Sequence, residues 1–211
     1  MTTLVLVRHG HTAMNNIKGN CFRGLVNIPL DERGLKEAEL TASAIQKRFK
    51  VDAVYSSSVD RAMVTADKIA SRFGLKAAAD PGLLDVDYGS WTGLSFADAK
   101  ANNPQLFEIC MHRLSQFTAP GGDSVKDISA RAMATARRLA KENDGRTIVI
   151  VTHTFIIRLI ILGILGLSAD NFWRIKQDTC AINVIEYDGE SEYSLVCLND
   201  AAHIREAGLA G

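Results

Sequence analysis

LVLVRHGHT, residues 4–12, decides how the rest of the chain is read. Its alternating Leu and Val residues are apolar on both faces, as a central parallel strand requires. They run without a break into Arg8, His9, Gly10 and His11. In open parallel α/β sheets, ligands bind beyond the carboxyl ends of the strands, and here that end carries a cation and an imidazole.

Working outward, TIVIVT (147–152) repeats the pattern and ends in the same way, on Thr152 and His153. Between these two strands, Leu35, Ala38, Ala42, Ile45 and Phe49 recur at helical spacing. DAVYSS (52–57) reads as a short strand, and Met63, Ala66, Ile69, Ala70 and Phe73 give the next helix its buried stripe. Residues 80–123 are least periodic, broken by Gly82, Gly89, Gly93, Pro104 and PGGD around two helices near 95–116. A long insertion with its own helices commonly covers a site. Ser124 and Asp127 form a capping-box-like start to a helix reaching about residue 143. A buried helix follows the strand at 146–152, and strands near 181–187 and 193–198 close the chain. The alternation predicts one α/β domain spanning 1–211, a three-layer sandwich whose mostly parallel sheet is flanked by helices, with the 80–123 insertion over its active site.

Bulk composition bounds the function. The 211 residues are 47% hydrophobic, and 24 Lys plus Arg balance 24 Asp plus Glu. Such a chain has ample material for one core and no net charge to draw it onto nucleic acid or an anionic membrane. Cys21, Cys110, Cys180 and Cys197 are scattered without metal-site or disulfide spacing. No cationic segment followed by an apolar run and a cleavage site is visible at the N-terminus, so a cytoplasmic protein is expected. IVIVTHTFIIRLIILGILGL (148–167) is long enough to cross a bilayer. It nonetheless carries His153 and Arg158, and an Arg at a helix centre costs about 2.5–3.5 kcal/mol on insertion. It reads instead as a strand followed by a buried helix. A homodimer is compatible with the sequence, which does not specify the oligomeric state.

SSSVDRAMVTA puts Arg61 in the first turn of the helix after the second strand, at the same end of the sheet. A cation there gains nothing from the helix dipole. Arg8, Arg61, His9, His153 and a helix N-terminus at one spot would make a pocket for a dianion, since guanidinium forks match phosphate oxygens and helix N-termini offer free N–H groups. No Walker sequence and no Mg²⁺-type aspartate cluster occurs, so neither metal nor organic cofactor is expected. Covalent catalysis by histidine is then the economical route. LLDVDYGSWTG (83–93) offers Asp85 and Asp87 as proton donors for the leaving group; either could instead be a turn residue.

These blocks resemble the histidine phosphatase superfamily, in the branch of cofactor-dependent phosphoglycerate mutase and small phosphatases such as α-ribazole phosphatase. LVRHGHTAMN is similar to the family signature, SSSVDRAMVTA to its second block, LLDVDYGSWTG to the block with the acid, PGGDS to the one before the long helix, and VTHTFIIR to the last. The resemblance implies a phosphomonoester hydrolase with His9 as the phosphorylated nucleophile. It further implies Arg8, Asn15, Arg61 and Thr154 as phosphate ligands, Asp85 as the acid and His153 against the phosphoryl group. A small-molecule phosphate monoester would be the substrate.

Departures from the family pattern are local. Asp85 stands where Glu is common, which keeps Asp87 in reserve. Thr154 and Phe155 replace a usual Gly-Gly, as in some members acting on phosphoserine, and Asn27 replaces a frequent Asp. His11 falls on a variable position that touches substrate or faces solvent; His112 reads as a surface residue, and His203 as lying near the pocket mouth or docking the C-terminus. Trp91, Arg23 and Arg113 are candidates for contacting the organic part of the substrate. The alternatives to a hydrolase are a mutase-type phosphotransferase sharing this pocket, and a phospholigand-binding protein impaired in catalysis.

Overall fold

The computed structural model describes residues 1–16, 21–190 and 192–209. Six strands form a single sheet, β1 (Thr2–Arg8), β2 (Ala53–Ser56), β3 (Ala77–Ala79), β4 (Thr147–Thr152), β5 (Ile182–Tyr187) and β6 (Tyr193–Asp200), in the order β3-β2-β4-β1-β5-β6. The pairs β2–β3, β2–β4 and β1–β4 are parallel, and β5 and β6 join antiparallel. The sheet is mostly parallel, as expected; the antiparallel edge is a β5–β6 hairpin closed by the turn that follows Tyr187.

Alternation along the central strands builds two cores. Leu4 and Leu6 of β1, with Ile148 and Ile150 of β4, face α5 (Val125–Glu142) and α6 (Thr154–Ile164). Val5, Val7, Val149 and Val151 face α1 (Glu32–Arg48) and α2 (Asp60–Ser71). Being buried on both faces is why these strands read as continuous apolar runs rather than alternating ones. The first core extends into α3 (Phe96–Asn102) and α4 (Pro104–His112), where Phe22 stacks on Phe96 at 4.6 Å and lies 4.9 Å from Tyr88. Ser124 caps α5 by accepting from the Asp127 N–H, as its sequence suggested.

Two elements escaped the sequence reading, β3 and α7 (Ala202–Glu206). Each is too short to show a period, and the Ala-Ala-Ala of β3 carries no strand propensity.

The topology positions the site. Arg8 pairs in register with Thr152, so β1 and β4 end side by side, and the His9 N–H donates to the Thr152 carbonyl at 3.0 Å. Helix α1, which follows β1, and helix α6, which follows β4, pack on opposite faces. The chain therefore diverges at this sheet edge, and the divergence leaves a crevice beyond the strand ends. Close backbone contact supports the β1 end: a Cβ on Gly34 would stand 2.0 Å from the His11 carbonyl oxygen, so only glycine lets α1 approach this loop.

Candidate active site

A cavity of about 310 Å³ opens at this edge, lined by Arg8, His9, Arg61, Asp85, His153 and Thr154, with Arg23, Tyr88 and Arg158 farther out. The two histidines lie with ring centroids 5.2 Å apart. Of the residues the sequence nominated for chemistry or phosphate binding, all but Asn15 and Asp87 meet here.

His9 is 4% exposed, and its Nδ1 lies 2.7 Å from the carbonyl oxygen of Gly10. A carbonyl only accepts, so Nδ1 carries the proton and Nε2 keeps its lone pair. Nε2 receives the Nε–H of Arg61 at 3.3 Å. Burial, then His153 and the flanking Arg8 and Arg61, hold the imidazole well below its ordinary range. His9 is therefore a neutral imidazole whose Nε2 lone pair is unprotonated and engaged only by the long contact from Arg61, the form a nucleophile needs.

Arg61 is placed by α2 and fixed by carbonyls: its Nη1 donates to Val26 and its Nη2 to Gly24, both at 2.7 Å. Gly24 has φ +50°, and a Cβ there would lie 2.3 Å from the Val86 carbonyl oxygen, so glycine is required for the carbonyl to aim at the guanidinium. The same Nη2 reaches Asp85 Oδ2 and His153 Nδ1, each at 3.2 Å. His153 closes this set, its Nε2 lying 2.9 Å from Ser57 Oγ. Burial is the main cause that brings His153 down to about 4, with Asp85 opposing it and Arg61 and Arg8 reinforcing it. With Arg61 donating to Nδ1, the neutral ring donates Nε2–H to Ser57.

Arg8 stretches under the cavity floor and donates to the Gln177 carbonyl at 2.6 Å, while its Nε is buried without a protein partner. Desolvation, with Arg23 and Arg158 nearby, lowers it to about 10, so it remains a cation at neutral pH. Gln177 is locked in turn by reciprocal amide bonds with Asn183 at 2.9 and 3.0 Å.

The two acidic candidates separate. Asp85 is 9% exposed and lines the cavity; Arg61 holds Oδ2, and Oδ1 is buried with no protein partner. Asp87 turns away, its Oδ1 accepting from the Gly89 N–H at 2.8 Å while Asp123 accepts from its backbone N–H.

Other nominees sit elsewhere. Asn15 accepts from the Thr12 N–H and hydroxyl and borders a neighbouring cavity, just before residues 17–20, which lie outside the described residues. His11 neither faces solvent nor lines the site cavity: it is 5% exposed, pairs with Asp31 at 2.6 Å and donates its N–H to Glu37. His203 Nε2 meets Thr41 Oγ1 at 2.9 Å, docking α7 on α1, and His112 is a surface residue beside Glu108. Trp91 is buried against Phe22 and Phe117. Arg23 reaches the cavity, but Arg113 is not part of its lining.

Sequence reasoning missed Ser57 and Gln177 as supports, and Arg158 as part of the cavity wall. Ser57 directly follows a strand end at the site, and Arg158 follows Thr154 by four residues on the same helix face. Gln177 carries no such signal. Among the described residues, no group of three or more His, Cys, Asp or Glu is disposed to hold a metal ion.

The buried imidazoles have a consequence for stability. A folded-state pKa below the ordinary 6.5 means that the unfolded chain binds protons the folded one rejects, so stability rises with pH across that window. The denaturation midpoint is expected to fall as pH drops from about 6.5 toward 4, with His153 alone accounting for on the order of 3 kcal/mol. Chemical denaturation at stepped pH checks this, and a flat profile over that window would contradict neutral burial.

The family model of the histidine phosphatase superfamily (branch 1) matches residues 4–201. Phosphoserine phosphatase 1 of Hydrogenobacter thermophilus is 27% identical over 98% of this chain and 96% of its own length. A metal-independent phosphoserine phosphatase of Arabidopsis thaliana is 29% identical, covering 99% of this chain and 85% of the relative. Among solved structures, a mutant phosphoserine phosphatase of Entamoeba histolytica in complex with phosphoserine aligns with TM-score 0.86 and 26% identity, covering 97% of this chain and all of that one (100%). No helix among the described residues is long and apolar enough to cross a membrane. A neutral, buried histidine at a parallel-sheet edge, ringed by arginines, thus accompanies a match over nearly the whole chain, which belongs to the histidine phosphatase superfamily (branch 1) and is a metal-independent phosphomonoester hydrolase of the phosphohistidine type.

Proposed function

We propose that the chain hydrolyses a small phosphomonoester of the phosphoserine type, with His9 as nucleophile, Asp85 as proton donor, and Arg8, Arg61 and Thr154 holding the phosphoryl group. The observation that carries this reading is the convergence of all five on one cavity with His153. His9 Nε2 attacks phosphorus as the ester P–O bond breaks, and the bonding pair leaves on the ester oxygen, which takes a proton from Asp85. Water then attacks phosphorus as the His9 Nε2–P bond breaks, the bonding pair returning to Nε2, and gives its proton to the Asp85 carboxylate, so that the acid and the free imidazole are restored and phosphate is released. Arg8, Arg61 and the N–H groups at the start of α6 spread the charge developing on the equatorial oxygens. Neutral His153, fixed by Ser57, adds a donor-acceptor wall without a further charge.

Water rather than a second phospho-acid is the acceptor in this reading, in keeping with the phosphatases among the relatives. The four unpaired thiols accord with a cytoplasmic setting. A panel of O-phosphoserine, 3-phosphoglycerate, sugar phosphates and α-ribazole phosphate, followed by phosphate release, tests the substrate class. The phosphoserine-type esters are expected to lead in kcat/KM by tenfold or more; a sugar phosphate or α-ribazole phosphate in first place would overturn it.

A further inference from the structure

The catalytic chemistry leaves two cavity cations unused, Arg23 and Arg158, and the second is held by aromatic rings. Arg158 sits on α6 four residues beyond Thr154, about one turn and ~6 Å along the helix axis from the phosphate end of the cavity. Its guanidinium lies 4.7 Å from the Phe172 ring centroid and 5.7 Å from that of Trp173. Among the described residues it has no ion pair, and its Nε is buried without a hydrogen-bond partner. Burial lowers it to about 10, so it is charged at neutral pH.

A guanidinium in an otherwise apolar helix costs desolvation that ring contacts offset only in part. Contact with two aromatic rings limits where the guanidinium can sit and leaves its N–H fork without protein acceptors, an arrangement suited to bidentate binding of a planar anion. Arg61 donates to two carbonyls, a carboxylate and two imidazoles, and Arg8 to a carbonyl; Arg23 also lines the cavity but, among the described residues, lacks the ring contacts that set Arg158. Of Arg8, Arg61 and Arg158, only Arg158 makes no side-chain hydrogen bond among the described residues.

We propose that Arg158, clamped by Phe172 and Trp173, is the carboxylate anchor of the substrate, reading a carboxylate borne on the organic part of the ester while Arg8 and Arg61 hold the phosphoryl end. This rests on the substrate reading above and assigns its selectivity to one side chain. A phosphomonoester with a carboxylate a few bonds from the ester oxygen spans the two ends of the cavity; a neutral or cationic alcohol leaves the guanidinium desolvated and unpaired.

The test compares O-phosphoserine with O-phosphoethanolamine, which lacks only the carboxylate, in the parent enzyme and in Arg158→Gln and Arg158→Lys. The parent is expected to favour phosphoserine in kcat/KM. Arg158→Gln should lower that preference by about 10- to 100-fold, the range of a lost charge-assisted hydrogen bond. The loss should fall mainly on KM for phosphoserine, with p-nitrophenyl phosphate turnover within about twofold of parent. Arg158→Lys, which keeps the charge and loses the fork, should fall between, and it serves if the Gln variant does not fold. A discriminating parent whose preference survives both substitutions overturns the role of Arg158 alone. An equal fall on all three esters does so too, since it marks a purely structural residue. A parent that does not discriminate overturns both this inference and the substrate reading.

Discussion

Replacing His9 with Ala is expected to lower kcat/KM by roughly 10⁴-fold or more on both phosphoserine and p-nitrophenyl phosphate, and to abolish covalent labelling. Nδ1 is committed to the Gly10 carbonyl, so the reactive lone pair can only be on Nε2, and burial, then His153 and the arginines around it, keep that pair unprotonated. The variant removes the group proposed to accept the phosphoryl unit, while Arg8 and Arg61 remain to bind the ester. Binding should thus persist while turnover stops. The measurement is a ³²P-ester reaction quenched in alkali, where a phosphohistidine survives, set beside steady-state rates. Should the Ala variant keep a rate within tenfold of parent, or should label appear on another residue, the covalent route through His9 fails. The same experiment separates a hydrolase from a phospholigand binder, because a binder would bind the ester without labelling in the parent.

That Arg8 and His9 could be placed at the crevice from residues 4–12 follows from how parallel sheets are built. A strand apolar on both faces must be central, and its carboxyl end must open onto the crevice, so Arg8 and His9 were located by β1 itself. His153 was located in the same way by β4, and the register pairing of Arg8 with Thr152 brings the two together. What the sequence could not carry was strand order: nothing local places β4 between β1 and β2, because that arrangement is set by two cores packing on opposite faces. Side-chain direction in loops was equally hidden. Asn15 and His11 sit in the signature block, yet one is turned onto Thr12 and the other onto Asp31 by hydrogen bonds no spacing rule foretells. Arg158 was visible as a lone cation in an apolar run, but only the aromatic clamp from residues 172 and 173 gives it an orientation.

The choice between Asp85 and Asp87 is a matter of two residues in one loop, and it yields the second large effect. Asp85→Asn is expected to cut kcat on phosphoserine by about 10²- to 10⁴-fold, the usual worth of a positioned general acid. The effect should shrink to within about tenfold on p-nitrophenyl phosphate, whose phenolate departs without a proton. Asp87→Asn should leave both rates within about fivefold, because its carboxylate serves the turn at Gly89 and faces away from the cavity. The contrast between leaving groups matters more than either rate, since it separates a proton donor from a residue that merely orients Arg61. Losing the Asp85–Arg61 contact alone would slow both esters alike, as Arg61 also holds His9 and His153. Equal losses on the two esters would therefore recast Asp85 as a positioning residue. A crippled Asp87 variant with an active Asp85 one would move the acid two residues along and require the 83–93 loop to rearrange when substrate binds.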